Sequence, residues 1–320
     1  MRNTILFLIT LCFCGSLAAK DVGMWDRFER SIQNTNDYHN PYLDVDLKVT
    51  YTAPNGEKTA FWGFYDGGQT WKIRFMPDRL GTWKYTATFS DGSAGISGSF
   101  ECVPSTIPGV IAKDESNPMW FGYAGGRHGL VRSFHVGDRF FAANWADDKR
   151  DQFLDWAENQ GYNMLSIASH LLNRDSKGRG RGWDTPDLWP LDASEHQRME
   201  TILDDLANRH IMVFPFAGFL GKSSDFPGEQ VIQEKYLRYT LARLAPYWNI
   251  LYNIAGPEPL MKKHVFLTVE ELTRIGRLLQ KLDPFGHLIA VHNRTGHYPF
   301  RDAGWSDYVV LQGPKTTNRD

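Results

Sequence analysis

From about residue 128 onward, short apolar runs alternate with stretches of helical period, and this alternation constrains the fold more than any other feature of the chain. Strands are expected at Arg139–Trp145, Asn163–His170, His210–Ala217, the run from Tyr247 toward Glu258, His287–Asn293 and Asp307–Gln312. Between them, Phe153, Leu154, Trp156 and Ala157 predict a helix that Gly161 stops. Met199, Ile202, Leu203 and Leu206 predict a second, opened by the capping box Ser194–Gln197. Tyr236, Leu237, Leu241 and Leu244 predict a third, from about Gln230 to Ala245. Leu272, Ile275, Leu278, Leu279 and Leu282 predict a fourth, behind the box Thr268–Glu271. Strands that alternate with amphipathic helices require a parallel sheet. No glycine-rich phosphate fingerprint follows the first strand, which disfavours a nucleotide-binding sheet and leaves a (β/α)8 TIM barrel as the better choice. About six of the eight units of such a barrel can be counted before Asp320, so the expectation is a barrel truncated after about six strands.

The first part of the chain reads differently. Leu43–Tyr51 alternates apolar and polar residues with period two, and Lys58–Tyr65, Trp71–Phe75, Thr82–Phe89 and Ile96–Val103 follow at short intervals between Gly and Pro turns. An immunoglobulin-like β-sandwich is expected over 20–104. Residues 105–127, with Pro108, Pro118, Gly122, Gly125 and Gly126, form a linker, and 128–320 form the barrel. Residues 1–19 read as a signal peptide: Arg2, the apolar run Thr4–Phe13, then small residues through Ala19. That predicts a secreted or periplasmic protein whose remaining cysteine is Cys102, with no internal disulfide. No other run is long enough for a transmembrane helix.

Net charge is −2 with no long run of one sign, which argues against nucleic acid and anionic membranes as partners. Aromatic residues make up 14% of the chain, a supply that serves equally for core packing and for stacking on sugar rings. Trp62, Trp71 and Trp83 are expected as core or interface residues of the β region and not as a sugar platform.

Ligand groups in a barrel sit at the C-terminal ends of its strands. Those positions hold Asn144 and Trp145, His170, Asn253 and Glu258, His292, and Gln312. The set is rich in amides, imidazoles and indoles and poor in paired acids, which suits a neutral polyhydroxylated ligand. Glu258 lies between Pro257 and Pro259, so it cannot occupy a regular helix or central strand; it is either an ordinary solvated loop residue or a general acid held in place by a rigid loop. Asp147 and Asp148 are explained by a helix N-terminus. His287 and His292 are five apart and face opposite ways on a strand, and no HExxH, CxxC or GxSxG spacing occurs. No metal or other cofactor is expected.

Three segments, Phe61–Gly67, Trp71–Pro77 and Gly81–Tyr85, resemble a β-sandwich domain of unknown function that precedes glycoside hydrolase barrels in secreted carbohydrate-degrading proteins. Asn249–Glu258, Val291–Asn293 and Asp307–Gln312 resemble the barrel of apiosidase-like, clan A type glycoside hydrolases. The resemblance implies a retaining hydrolase of plant or algal type polysaccharide or oligosaccharide, with an acid/base after strand four and a nucleophile after strand seven. Glu258 takes the first position, although its Pro-Glu-Pro context departs from the usual Asn-Glu or Gly-Asp ending; the second falls beyond Asp320. Asn144, Trp145, His170, Asn253, His292 and Gln312 would shape the sugar site. The alternative is a non-catalytic carbohydrate-binding or cell-surface interaction protein with a degenerate barrel.

Overall fold

The computed structural model describes residues 20–136, 140–141, 145–167, 193–215, 229–254, 267–294 and 298–312. The signal peptide expected over 1–19 lies outside the described residues. In the N-terminal part, strands β1 (Lys20–Gly23), β2 (Phe28–Gln33), β3 (Leu47–Thr52), β4 (Lys58–Tyr65), β5 (Thr70–Phe75), β6 (Gly81–Phe89) and β7 (Ile96–Val103) form a seven-stranded sheet in the order β1-β7-β6-β3-β4-β5-β2. Pairing is antiparallel except for β1 against β7. The two edge strands are consecutive in the chain, separated by Met24 to Arg27, so the sheet curls until it is nearly closed.

Alternation lines the inside of that curl with apolar side chains. Leu47, Val49 and Tyr51 of β3 and Trp83, Tyr85, Ala87 and Phe89 of β6 all point inward and are buried. Rings from strands that share no backbone pairing meet across the interior: Phe28 stacks on Phe100 at 4.2 Å between centroids, and Tyr51 on Phe75 at 4.1 Å. Trp71 and Trp83 belong to this core, whereas Trp62 is half-buried under the Arg238 guanidinium, 4.1 Å from its ring. Gly63 in β4 is forced by close approach, since a Cβ there would lie 2.4 Å from Leu47 Cδ2 and 2.8 Å from the Lys72 carbonyl oxygen. The five strands expected here all form. Two more were not legible: β1 is four residues long, and in β2 exposed Arg30 sits between buried Phe28 and Ile32, so the alternation is broken.

A hairpin of β8 (Ile111–Lys113) and β9 (Phe121–Tyr123) lies in the segment expected to be the linker. Then the chain alternates: β10 (Ser133–Val136), α1 (Asp147–Asn159), β11 (Met164–Ile167), α2 (Ala193–Asn208), β12 (Met212–Pro215), α3 (Gln230–Leu244), β13 (Tyr252–Asn253), α4 (Val269–Leu282), β14 (Ile289–Ala290), β15 (His292–Arg294) and β16 (Val310–Gln312). Every pairing among these strands is parallel and joins neighbours in chain order: β10 to β11, β11 to β12, β13 to β14, and β15 to β16. A parallel bridge between Val213 and Ile250 carries β12 on toward β13.

The first strand is displaced from its expected position. β10 is Ser133–Val136, and of the expected strand Arg139–Trp145 the described residues Phe140 and Phe141 lie in a turn where both are buried. Their apolar character serves the core without pairing. Helix α2 starts at Ala193, so Ser194 falls in its first turn. The box at α4 forms as expected: the Glu271 N–H donates to Thr268 Oγ1 (3.2 Å) and the Thr268 N–H to Glu271 Oε2 (2.7 Å).

The sheet and the α/β part share one hydrophobic cluster. At their contact lies a buried ionic network. Both Glu200 oxygens, on α2, receive guanidinium donors: Arg243 Nε to Oε1 at 2.6 Å, and Arg74 Nη2 and Arg243 Nη2 to Oε2 at 2.9 and 3.0 Å. Arg74 also meets Glu29 at 2.6 Å and Arg243 meets Asp66 at 2.8 Å, while Phe64 is faced by both guanidiniums. Burial alone would raise the Glu200 pKa, but the two arginines overcome it and hold the carboxyl well below its usual range.

Candidate functional site

In a parallel array the strand C-termini all open on one side, and the described polar side chains there are Asn253 at the end of β13 and His292 and Asn293 in β15. All three are buried. They reach one region because β13 pairs with β14 through Asn253 and Ala290, only Val291 separates β14 from β15, and His292 pairs with Val310 of β16. The Ile254 N–H extends the ladder to the Ala290 carbonyl at 2.8 Å, and the Asn293 amide donates to the Val291 carbonyl at 2.8 Å. Behind them, the Tyr308 hydroxyl donates to the Tyr252 carbonyl at 2.8 Å.

Burial pushes the His292 imidazole down to about 4, so it is neutral near pH 7 and can both donate and accept a hydrogen bond. His287, on the other side of the strand turn, is a packing residue. Its Nδ1 lies 3.0 Å from Asp283 Oδ2, its Nε2 lies 3.1 Å from the Tyr247 carbonyl oxygen, and its ring stacks on Tyr252 at 4.5 Å.

Trp145 sits in the bend before α1, half-buried against Phe140 (5.1 Å) and Phe153 (6.0 Å), and its carbonyl accepts from Arg150 at 3.1 Å. Gln312 ends β16, where Arg294 is its register partner. Glu258, Asn144 and His170 lie outside the described residues.

Arg74, Glu200 and Arg243 were missed in the sequence. A signal existed for the last two, because Arg243 shares the apolar face of α3 with Tyr236 and Tyr239, and Glu200 is flanked by Met199 and Leu203 on α2. A charge placed among core positions needs a buried partner.

Residues 21–90 match the family model described as a domain of unknown function, DUF5060. No curated protein matches the chain. Among solved structures, the chain is similar to a candidate glycoside hydrolase from Bacteroides vulgatus, with a TM-score of 0.71 at 21% identity, over 92% of this chain and 60% of that one. A family 5 glycoside hydrolase from the same organism gives a TM-score of 0.43 at 18% identity, over 63% of this chain and 45% of that one. The chain thus spans about 60% of the length of the first of these proteins, and its likeness to that protein is one of fold.

Proposed function

We propose that the chain represents part of a secreted or periplasmic glycoside hydrolase, with the seven-stranded sheet as an immunoglobulin-like sandwich and the parallel array as part of a (β/α)8 barrel. The observation that carries this reading is the pair of neutral hydrogen-bonding side chains Asn253, the last residue of β13, and His292, two residues past the end of its parallel partner β14. Barrel enzymes place their chemistry at those ends. A neutral imidazole and an amide recognise hydroxyl groups without demanding a charged substrate, which favours a neutral polysaccharide or oligosaccharide; its plant or algal type is what the resemblance of the strand-end segments implies. The fold likeness to the Bacteroides vulgatus protein supports the same reading.

In this proposal Glu258, five residues beyond Asn253, is the general acid/base of a retaining pair of carboxylates. A positioned acid contributes about 10²–10⁴-fold. Glu258→Gln in the full-length protein is therefore expected to lose activity by that factor on substrates with poor leaving groups. Unchanged turnover of such substrates would remove Glu258 from the mechanism.

A further inference from the structure

A cavity of about 450 Å³ opens where the N-terminal sheet meets the α/β part. Its walls include Trp25 and Arg27 from the β1–β2 turn, Asp204 and Asn208 from α2, His210 just beyond that helix, and Trp248 ahead of β13. Because His210 precedes β12 and Trp248 precedes β13, the cavity lies at the strand N-termini, opposite the ends that carry Asn253 and His292. Its volume falls in the range of about 300–1,000 Å³ common for small-ligand sites.

Two backbone strains flank this cavity. Among the described residues other than glycine, positive φ occurs at Trp25 (65°) and His210 (55°), and both line it. That conformation is costly for a large side chain and natural for glycine. Trp25 is held there by its own N–H to the Pro77 carbonyl (2.8 Å) and by the Met24 N–H to the Val103 carbonyl (2.8 Å). His210 occupies the left-handed position of a Schellman motif closing α2, with its N–H on the Ala207 carbonyl (3.1 Å) and the Ile211 N–H on the Leu206 carbonyl (2.8 Å). Helix α1 closes with the same motif, Gly161 N–H to Glu158 (2.8 Å) and Tyr162 N–H to Ala157 (2.9 Å), and there glycine takes the left-handed position. Where only the turn matters, the chain uses glycine. At the cavity it keeps rings on strained backbone, and strain that the fold maintains gathers at binding sites.

The polar groups indicate what the rings would meet. Arg27 is committed, 2.8 Å from Asp204 and 4.2 Å over the Tyr247 ring, so the cavity offers no free guanidinium to an anion. Asp204, Asn208 and His210 present acceptors and donors beside the half-buried Trp25 indole. An apolar ring face bordered by short polar side chains matches a pyranose. We propose that this cavity is a second, non-catalytic binding site for a neutral oligosaccharide, with a sugar ring against Trp25 and its hydroxyls bonded to Asp204, Asn208 and His210. Trp25 also lines a smaller cavity of about 130 Å³ with Glu57 and Arg79. The ligand class rests on the glycosidase reading.

The test uses the full-length protein carrying Glu258→Gln and isothermal titration with neutral hexasaccharides of cellulose, xylan, mannan and arabinan. Product chromatography with the unsubstituted protein beforehand scores hydrolysis, so a failure of the glycosidase reading shows there and not in the titration. Two added variants preserve the fold: His210→Gly relieves the left-handed residue, and Asn208→Trp fills the cavity from an exposed position. The expected result is one binding equivalent lost with Asn208→Trp and affinity weakened about tenfold with His210→Gly, whose melting temperature stays level or rises. Unchanged affinity and stoichiometry in both variants, or no titration of the parent by any of the four probes, overturns the proposal.

Discussion

Replacing Glu200 by glutamine tests how the two parts of the chain are joined. The side chain keeps its shape and loses its charge. In the native network three cations (Arg74, Arg243, Lys72) face three anions (Glu29, Asp66, Glu200), all linked at 2.6 to 3.2 Å. Removing one anion leaves a net positive charge around two buried guanidiniums. Breaking a buried pair from one side costs about 3–5 kcal/mol. The lower end applies, because Glu29 still holds Arg74 and Asp66 still holds Arg243, so about 3 kcal/mol is expected. At about 2 °C per kcal/mol for a large domain, the melting temperature should fall by roughly 6 °C. The pH dependence has a definite sign. The folded-state carboxyl is depressed below its ordinary value of 4.5, so its stabilisation is present above pH 4.5 and is lost as pH falls toward the folded-state value. The gap between the native protein and Glu200→Gln should therefore close in acid. Urea melts at pH 7 and below pH 4 measure both effects, and a cycle with Arg74→Met isolates the pair. A loss under about 0.5 kcal/mol at pH 7, with Arg74→Met and Glu200→Gln strictly additive, would refute the network as the joint; surface pairs behave in that way.

Other substitutions probe single contacts. Gly63→Ala places a methyl group against Leu47 and the Lys72 carbonyl, and should cost about 1–3 kcal/mol in denaturant melts. Thr268→Ala removes the accepting half of the α4 box and should cost about 1 kcal/mol, while Thr268→Ser should cost much less. His292 has a folded-state pKa lowered to about 4 from 6.5, so the unfolded chain binds its proton first on acidification; its contribution is complete above pH 6.5 and declines as pH falls toward 4. An NMR titration of its ring should find a midpoint near 4, and a midpoint near 6.5 would mean that water reaches the site.

The parts of the fold that were legible in the sequence are those where local pattern and tertiary role agree. Leu272, Ile275 and Leu279 repeat at helical spacing behind Thr268, and they are the buried face of α4. The alternation in β3 and β6 likewise became the inner wall of the sheet. Legibility failed where tertiary context decided. Phe140 and Phe141 are as apolar as any strand pair yet pack from a turn, and β1 exists only because β7 supplies its partner. At the candidate site, reading strand ends singles out Asn253, which ends β13, and His292, which opens β15, while Trp145 lies in the bend before α1. The strained pair Trp25 and His210 had no sequence signal, since a left-handed residue that is not glycine is visible only in backbone angles.

The ionic joint ties the sheet to the strand array through side chains from three elements. Arg74 belongs to β5, Glu200 to α2 and Arg243 to α3, so no one of the three can be satisfied by its own element. Phe285, between α4 and β14, adds an apolar counterpart by packing against Phe61 (5.4 Å) and Phe75 (5.3 Å) of the sheet. Without the sheet, Glu200 and Arg243 would lose Arg74 and Asp66, and Phe285 would face water. Packing would favour almost any apolar contact there, but a carboxylate set between two guanidiniums accepts one register of β5 against α2 and α3. The orientation of the strand array relative to the sheet, and with it the shape of the cavity between Trp25 and His210, follows from that single register.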